Sequence, residues 1–274
     1  MTSQGLQKCP GSKAHGDTFV SLWRQEKTRA KSCGASRKSE FSQGLVKVRS
    51  TDSPMSYHKD KKKDKRAGRK CIMLDKEKVR IFFDSYAPKW DQEMIIDDHV
   101  VNCILDNARV EEGKNILDVA CGSGVLTPYY LARKVKSVTG IDFSAEMIKI
   151  ADGKTISGKG KVRYICADAE DFMSDMKFDS IVIYNAFPHF RDPEKIIKNL
   201  SRLLAHDGVI TVAHGMSREK INMHHKNVPE VSNELMSAEE LEKIFKKYVN
   251  VTVCISDESM YQLAGAAKKV PAAD

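Results

Sequence analysis

Ile116-Leu-Asp-Val-Ala-Cys-Gly-Ser-Gly-Val125 decides how the rest of the chain is read. A short apolar run ends at Asp118, Gly122 and Gly124 follow, and a helical period begins at Leu126 and continues through Tyr129 and Tyr130. A buried β-strand running through a glycine-rich turn into a helix leaves this pattern. Glycine lets the backbone turn sharply and lets a ligand approach the main chain, with the helix N-terminus facing it. The stretch therefore reads as a cradle for a nucleotide-type cofactor. A Gly-x-Gly turn also occurs as a plain strand-helix connection, so the flanking sequence has to decide.

Working outward, strands and helices alternate. Val79, Phe82, Phe83 and Tyr86 recur at helical spacing from about Asp75, with Pro88 expected to end that helix. Ile96, Val100 and Ile104 mark the face of a second helix. Strands are expected over 115–121, 137–142, 162–168, 178–186 and 209–213, with helices at 126–133, from Ser144 as N-cap, and at 193–204. A short helical piece is expected around 170–173, and residues 215–231 read as an irregular loop. A helix at 238–248 precedes two strands, 251–256 and 261–265, close enough to pair antiparallel. The run Ile181-Val-Ile183 suits a strand covered on both faces. Such alternation predicts an α/β fold: a doubly wound, mostly parallel seven-stranded sheet with an antiparallel final strand. Ligands in such sheets bind beyond the carboxyl ends of the strands.

Composition divides the 274 residues into two parts. Residues 1–70 carry 18 Lys+Arg against 6 Asp+Glu, and the remainder 27 against 31, so the net charge of +8 belongs to the tail. The tail lacks an apolar period, and the domain organisation expected is a basic, disordered tail over 1–72 followed by a folded domain over 73–274. No aromatic residues interleave the run Lys59–Arg66, which argues against a single-strand nucleic-acid surface. No apolar run reaches the length of a membrane span. The seven cysteines are scattered without Cys-x-x-Cys spacing, which points to reduced thiols, a cytoplasmic setting and no structural zinc.

The strand ends carry the chemistry. Asp118 and the glycine turn close the first strand. Asp142, 24 residues later, ends the second, where a carboxylate can accept both ribose hydroxyls. Asp168 follows the third and can accept from an exocyclic adenine amine, while Ala169 leaves room for the ring. Helix capping is the competing role for Asp142 and Asp168. The stretches Ile116–Gly124, Val138–Met147, Cys166–Asp171 and Phe178–Phe187 together resemble the class I S-adenosylmethionine (SAM)-dependent methyltransferases, over roughly Asp75 to Lys268. Within that family the chain is similar to the small-molecule branch containing the ubiquinone/menaquinone C-methyltransferases, the methyltransferase type 11 group. The leader Phe82-Phe-Asp-Ser-Tyr-Ala-Pro-Lys-Trp-Asp91 is similar to that branch as well. The resemblance implies SAM as cofactor and S-adenosylhomocysteine as product, with Asp118, Ala120, Gly122, Gly124, Asp142, Phe143, Asp168, Ala169 and Asn185 around it. It also implies that Tyr86 and Trp90 close over the cofactor, Tyr86 on the catalytic side; plain core packing of the two rings is the alternative.

The expected reaction is methyl transfer to a small-molecule acceptor through C, O, S or N. Tyr184-Asn-Ala-Phe-Pro-His-Phe190 lacks the Asn/Asp-Pro-Pro-Tyr/Phe tetrapeptide and Pro-Cys nucleophile of nucleic-acid methylation, and no carboxylate pair suggests a magnesium site. His189, His214 and the pair His224-His225 are placed to border the acceptor, with His189 ranked first and His214 second as base or positioning group. No metal is expected, because the loop histidines lack fixed ligand spacing. Two other classes remain open: a SAM-binding scaffold whose tail recruits an anionic partner, and an NAD-dependent oxidoreductase. Thr127 at the third glycine position of the dinucleotide fingerprint argues against the latter.

Overall fold

Residues 74–154 and 160–268 are described in the computed structural model; the tail expected over 1–72 lies outside them. The chain lays down β1 (Asn115–Val119), β2 (Ser137–Asp142), β3 (Val162–Cys166), β4 (Phe178–Tyr184), β5 (Leu204–His214), β6 (Val249–Ser256) and β7 (Tyr261–Ala267). They form one sheet in the order β3-β2-β1-β4-β5-β7-β6. The first five run parallel, and β7 pairs antiparallel with both β5 and β6. This is the expected doubly wound sheet, with the final strand as its antiparallel member. The chain runs outward from β1 to β3 and then returns to β4, so the strand order reverses between β1 and β4. A crevice opens at such a reversal, beyond the carboxyl ends of the strands.

Burial explains the unbroken apolar run Ile181-Val-Ile183 within β4. Val182 joins Val101, Leu105, Ile116 and Tyr130 on one face, while Ile181 and Ile183 join Ile196, Leu200, Leu241 and Phe245 on the other. Successive side chains thus feed two separate cores, and neither face can carry polar groups.

Seven α-helices are described: α1 (Lys76–Glu93), α2 (Asp98–Asn107), α3 (Thr127–Ala132), α4 (Ala145–Lys154), α5 (Pro193–Ser201), α6 (Arg218–His225) and α7 (Ala238–Tyr248). Asp97 caps α2, Asp192 caps α5, and Ser237 forms a capping box with Glu240 on α7.

Several boundaries depart from the sequence expectation. Pro88 does not end α1, which continues to Glu93. The lost N–H is offset by contacts of the preceding turns: Tyr86 and Ala87 are buried, and the Asp84 carboxylate takes hydrogen bonds from Ser144 Oγ (2.6 Å) across the fold and from Arg80 Nη1 (2.6 Å) within the helix. Ile96 lies in the connection before α2 and is exposed rather than part of its face. Residues 170–173 form a turn instead of a helical piece. The expected loop at 215–231 contains α6, capped by Ser217. Strand β5 begins at Leu204, before Asp207-Gly208, because a register shift against β4 lets pairing resume on both sides. A Cβ at Gly208 would lie 2.8 Å from the Phe178 carbonyl oxygen, so the close backbone approach there requires glycine.

Candidate functional site

The glycine turn leaves β1 in a left-handed conformation, with φ of 54° at Ala120 and 54° at Gly122. This swings the backbone N–H of Gly122 toward the end of β2, where Asp142 Oδ2 accepts it at 2.8 Å. Asp142 Oδ1 accepts from Ser144 N, also at 2.8 Å. Each oxygen keeps a second lone pair for a ligand. Burial raises the Asp142 carboxyl to about 6, with the backbone donors of Ser144 and Gly122 opposing.

Asp118 lies deeper. Its side chain is buried and its Oδ2 finds no hydrogen-bond partner among the described residues. Burial raises its carboxyl to about 8, opposed by the neighbouring Tyr130 hydroxyl and reinforced by the charge of Asp142. Across the turn, Trp90 Nε1 is also buried without a partner, 3.7 Å from where a Gly122 Cβ would stand. An unmatched acceptor and an unmatched donor therefore flank one turn of backbone.

These groups open into a cavity of about 990 Å³, counted out to its mouth, at the reversal between β1 and β4. Asp118, Ala120, Gly122, Asp142, Phe143, Asp168, Ala169, Asn185, Trp90 and His189 all line it. Gly124 does not. A Cβ there would stand 2.7 Å from Tyr164 Oη, so this glycine serves close packing against β3.

A second cavity of about 580 Å³ adjoins the first and shares Trp90, Met94, Asn185 and His189 with it. Tyr86, Glu93, Ile221, His214, His224 and His225 complete its wall. Tyr86 thus faces the second cavity and does not line the first; its hydroxyl donates to Glu93. His189 Nδ1 lies 2.8 Å from the Val231 carbonyl oxygen. A carbonyl can only accept, so Nδ1 carries the proton and Nε2 keeps its lone pair. Phe83 packs edge-on against the His189 ring at 4.9 Å, and the His225 ring lies 5.1 Å away. Burial holds His189 down at about 4 and His214 at about 3, the latter with both ring nitrogens unpartnered. Burial likewise pushes His225 far below the usual imidazole range. Among the described residues no group of three His, Cys, Asp or Glu side chains converges to hold a metal ion.

Three contributors escaped the sequence. Lys76, in the first turn of α1, reaches 92 positions along the chain to Asp168 Oδ2 at 2.5 Å and to Glu170 Oε2 at 2.9 Å. Glu170 is buried and also accepts from the backbone N–H of Arg191 at 2.7 Å. Glu93 ends α1 beside the second cavity. No local signal distinguishes such charges from solvated ones. Only the sequence position of Glu170, two residues after Asp168, offered a hint.

The doubly wound sheet, with an acidic residue at the end of β1, a glycine turn and a second acidic residue at the end of β2, is the Rossmann-like fold shared with solved methyltransferases. Residues 117–212 match the family model described as a methyltransferase domain. The ubiquinone biosynthesis O-methyltransferase of Coxiella burnetii (strain RSA 493 / Nine Mile phase I) is 30% identical over 141 residues, 49% of this chain and 60% of that protein. A probable (S)-tetrahydroprotoberberine N-methyltransferase 2 of Papaver bracteatum is 32% identical over 119 residues, 42% of this chain and 32% of that protein. The chain thus spans less than two thirds of either relative. Among solved structures, the N-methyltransferase NodS of Bradyrhizobium japonicum WM9, in complex with S-adenosyl-L-homocysteine, superposes with a TM-score of 0.55 at 16% identity, covering 70% of this chain and 99% of that one. The magnesium protoporphyrin IX methyltransferase of Synechocystis PCC 6803 gives 0.51 at 15% identity, covering 70% and 99%. No helix of the described residues is long and apolar enough to cross a membrane.

Proposed function

We propose that this protein transfers a methyl group from SAM to a small-molecule acceptor, with the cofactor in the first cavity and the acceptor in the second. The observation that carries the reading is the mismatched pair at the glycine turn. Asp118 Oδ2 is a buried acceptor without a donor, and Trp90 Nε1 a buried donor without an acceptor. Leaving such groups unpaired costs about 1–3 kcal/mol each. An amino-acid moiety, with an ammonium for Asp118 and a carboxylate for Trp90, satisfies both at once. The spare lone pairs of Asp142 suit a ribose diol, and Phe143 and Ala169 flank space for a flat ring.

When bound, the cofactor supplies a methyl group already activated as a sulfonium. What this chain adds is position and the exclusion of water. Asn185 Oδ1 accepts from Gly215 N at 3.0 Å, tying the ends of β4 and β5 together where the two cavities meet. His189, common to both cavities, presents Nε2 as a hydrogen-bond acceptor for the incoming molecule. Lys76 occupies Asp168, so an adenine amine reaching that carboxylate competes with an ion pair at the root of α1.

Calorimetric titration with S-adenosylhomocysteine tests the cofactor assignment. Binding to the wild type is expected, weakened about a hundredfold or more in Asp142→Ala, the equivalent of two lost hydrogen bonds to a charged group at about 1.5 kcal/mol each. Absent binding by the wild type, or equal affinity in the variant, sinks it.

A further inference from the structure

We propose that the acceptor atom is the nitrogen of an amine that enters uncharged, and that Glu93, with the rings of Tyr86 and Trp90, stabilises the positive charge the nitrogen acquires. This rests on the assignment of the second cavity as the acceptor site. Among the described residues Glu93 is the one carboxylate lining that cavity, and no lysine or arginine lines it. Its carboxylate is fixed by the Tyr86 hydroxyl, and the Tyr86 and Trp90 rings stand at 84° with centroids 6.1 Å apart. Two differently oriented aromatic walls and one fixed anion make a surface suited to a cation.

The histidines argue the same way. Methylating a hydroxyl or thiol requires its proton to leave, and a histidine serves as base when a carboxylate or similar group supports its imidazolium. Here His189 Nδ1 is bound to the Val231 backbone carbonyl, a neutral partner, and both nitrogens of His214 lack any partner. Burial makes both rings poor proton acceptors. An ammonium has no lone pair to attack with, so the amine leaves its proton in water before it enters, and neither buried ring carries an extra proton to return to it. His189 Nε2 can accept an amine N–H and so turn the nitrogen lone pair toward the methyl group. This makes His189 a positioning residue.

The balance closes without a base. The nitrogen lone pair attacks the sulfonium methyl, the N–C bond forms, and the S–C bond breaks with its electron pair left on sulfur. The positive charge passes from sulfur to nitrogen. The product departs as an ammonium and exchanges its proton with water after release. A hydroxyl acceptor would instead strand an oxonium, or need a base stronger than any in this wall.

Two measurements on the full chain test this. Sinefungin carries a carbon-borne amine where SAM carries its methyl, so its affinity relative to S-adenosylhomocysteine reads the charge preference beside Glu93. Wild type is expected to favour sinefungin about tenfold, and Glu93→Gln to bring the two within about threefold, its affinity for S-adenosylhomocysteine unchanged. The amide oxygen can still accept from Tyr86, so the wall stays intact. A preference that survives in Glu93→Gln overturns the proposal. Second, S-adenosylhomocysteine release is followed with benzylamine, benzyl alcohol and benzyl mercaptan, which differ only in the acceptor atom. Faster turnover of the amine supports the proposal; faster turnover of the alcohol or thiol overturns it. His189→Gln, whose amide oxygen still accepts an N–H, is expected to keep turnover within about tenfold, whereas loss of a base would cost about 10²–10⁴. Should no acceptor turn over, the binding ratio decides. Failure of S-adenosylhomocysteine to bind at all would instead strike the cofactor assignment.

Discussion

Asp118 holds a proton where most carboxylates would not. With its carboxyl raised to about 8 by burial, it is protonated in the ligand-free protein at neutral pH. An ammonium placed against it would restore the charged form, since an opposite charge lowers a carboxyl pKa. Cofactor binding is therefore expected to release close to one proton at pH 7. Titration with S-adenosylhomocysteine in two buffers of different ionisation enthalpy measures that number directly. Asp118→Asn should reduce it to near zero, and a wild type that releases none would show that the ammonium does not sit at Asp118.

At the scale of elements, α1 carries a cost that its partners absorb. Pro88 removes one helical hydrogen bond in the middle of an 18-residue helix. Pro88→Ala restores the donor in an exposed position and is expected to stabilise the protein by about 1–3 kcal/mol, raising Tm by several degrees in a thermal melt. A lowered Tm would mean that the helix is bent to its task by the proline. The sheet and the helices on its flanks were legible because their inward faces are hydrocarbon: Ile181-Val-Ile183 and the α5 stripe Ile196, Ile197, Leu200 announce burial in any context. Helix α6 was not. Its inward residues are Ile221, His224 and His225, and periodicity built on histidine looks like a polar loop. The residues gathered at the first cavity were legible because they sit at strand ends in fixed order. Lys76, Glu93 and Glu170 were not, because their roles come from tertiary juxtaposition rather than local pattern.

For the whole molecule, these buried ionisable groups set a pH optimum of stability. In the unfolded chain an imidazole takes up a proton near 6.5, whereas folded His189 resists until about 4 and His214 until about 3. Between those values the unfolded state binds more protons, so stability falls as the pH drops below 6.5. The carboxyls act in the opposite sense. Folded Asp118 keeps its proton to about 8 and Asp142 to about 6, while their unfolded counterparts lose it near 3.8. Across 4 to 6 the two carboxyls oppose His189, His214 and the similarly depressed His225, leaving the histidines ahead by one group. Above 6.5 the Asp118 effect stands alone among these groups and stability declines toward 8. The ligand-free protein should therefore show its highest Tm near pH 6.5. Tm rising steadily from 6.5 to 8 would contradict the state assigned to Asp118.

The sheet order has a consequence for synthesis. Strand β7 is the last to leave the ribosome, yet it lies between β5 and β6 and pairs with both. Until Tyr261–Ala267 has emerged, β5 presents an unpaired edge and β6, though packed against α7, has no strand to pair with among the described residues. The nascent chain can thus prepare β1 to β4, which border the first cavity, while the wall of the second cavity at the end of β5 waits for β7. A ribosome stalled shortly before Tyr261 would hold a half-built sheet with a sticky border, in need of a chaperone's cover.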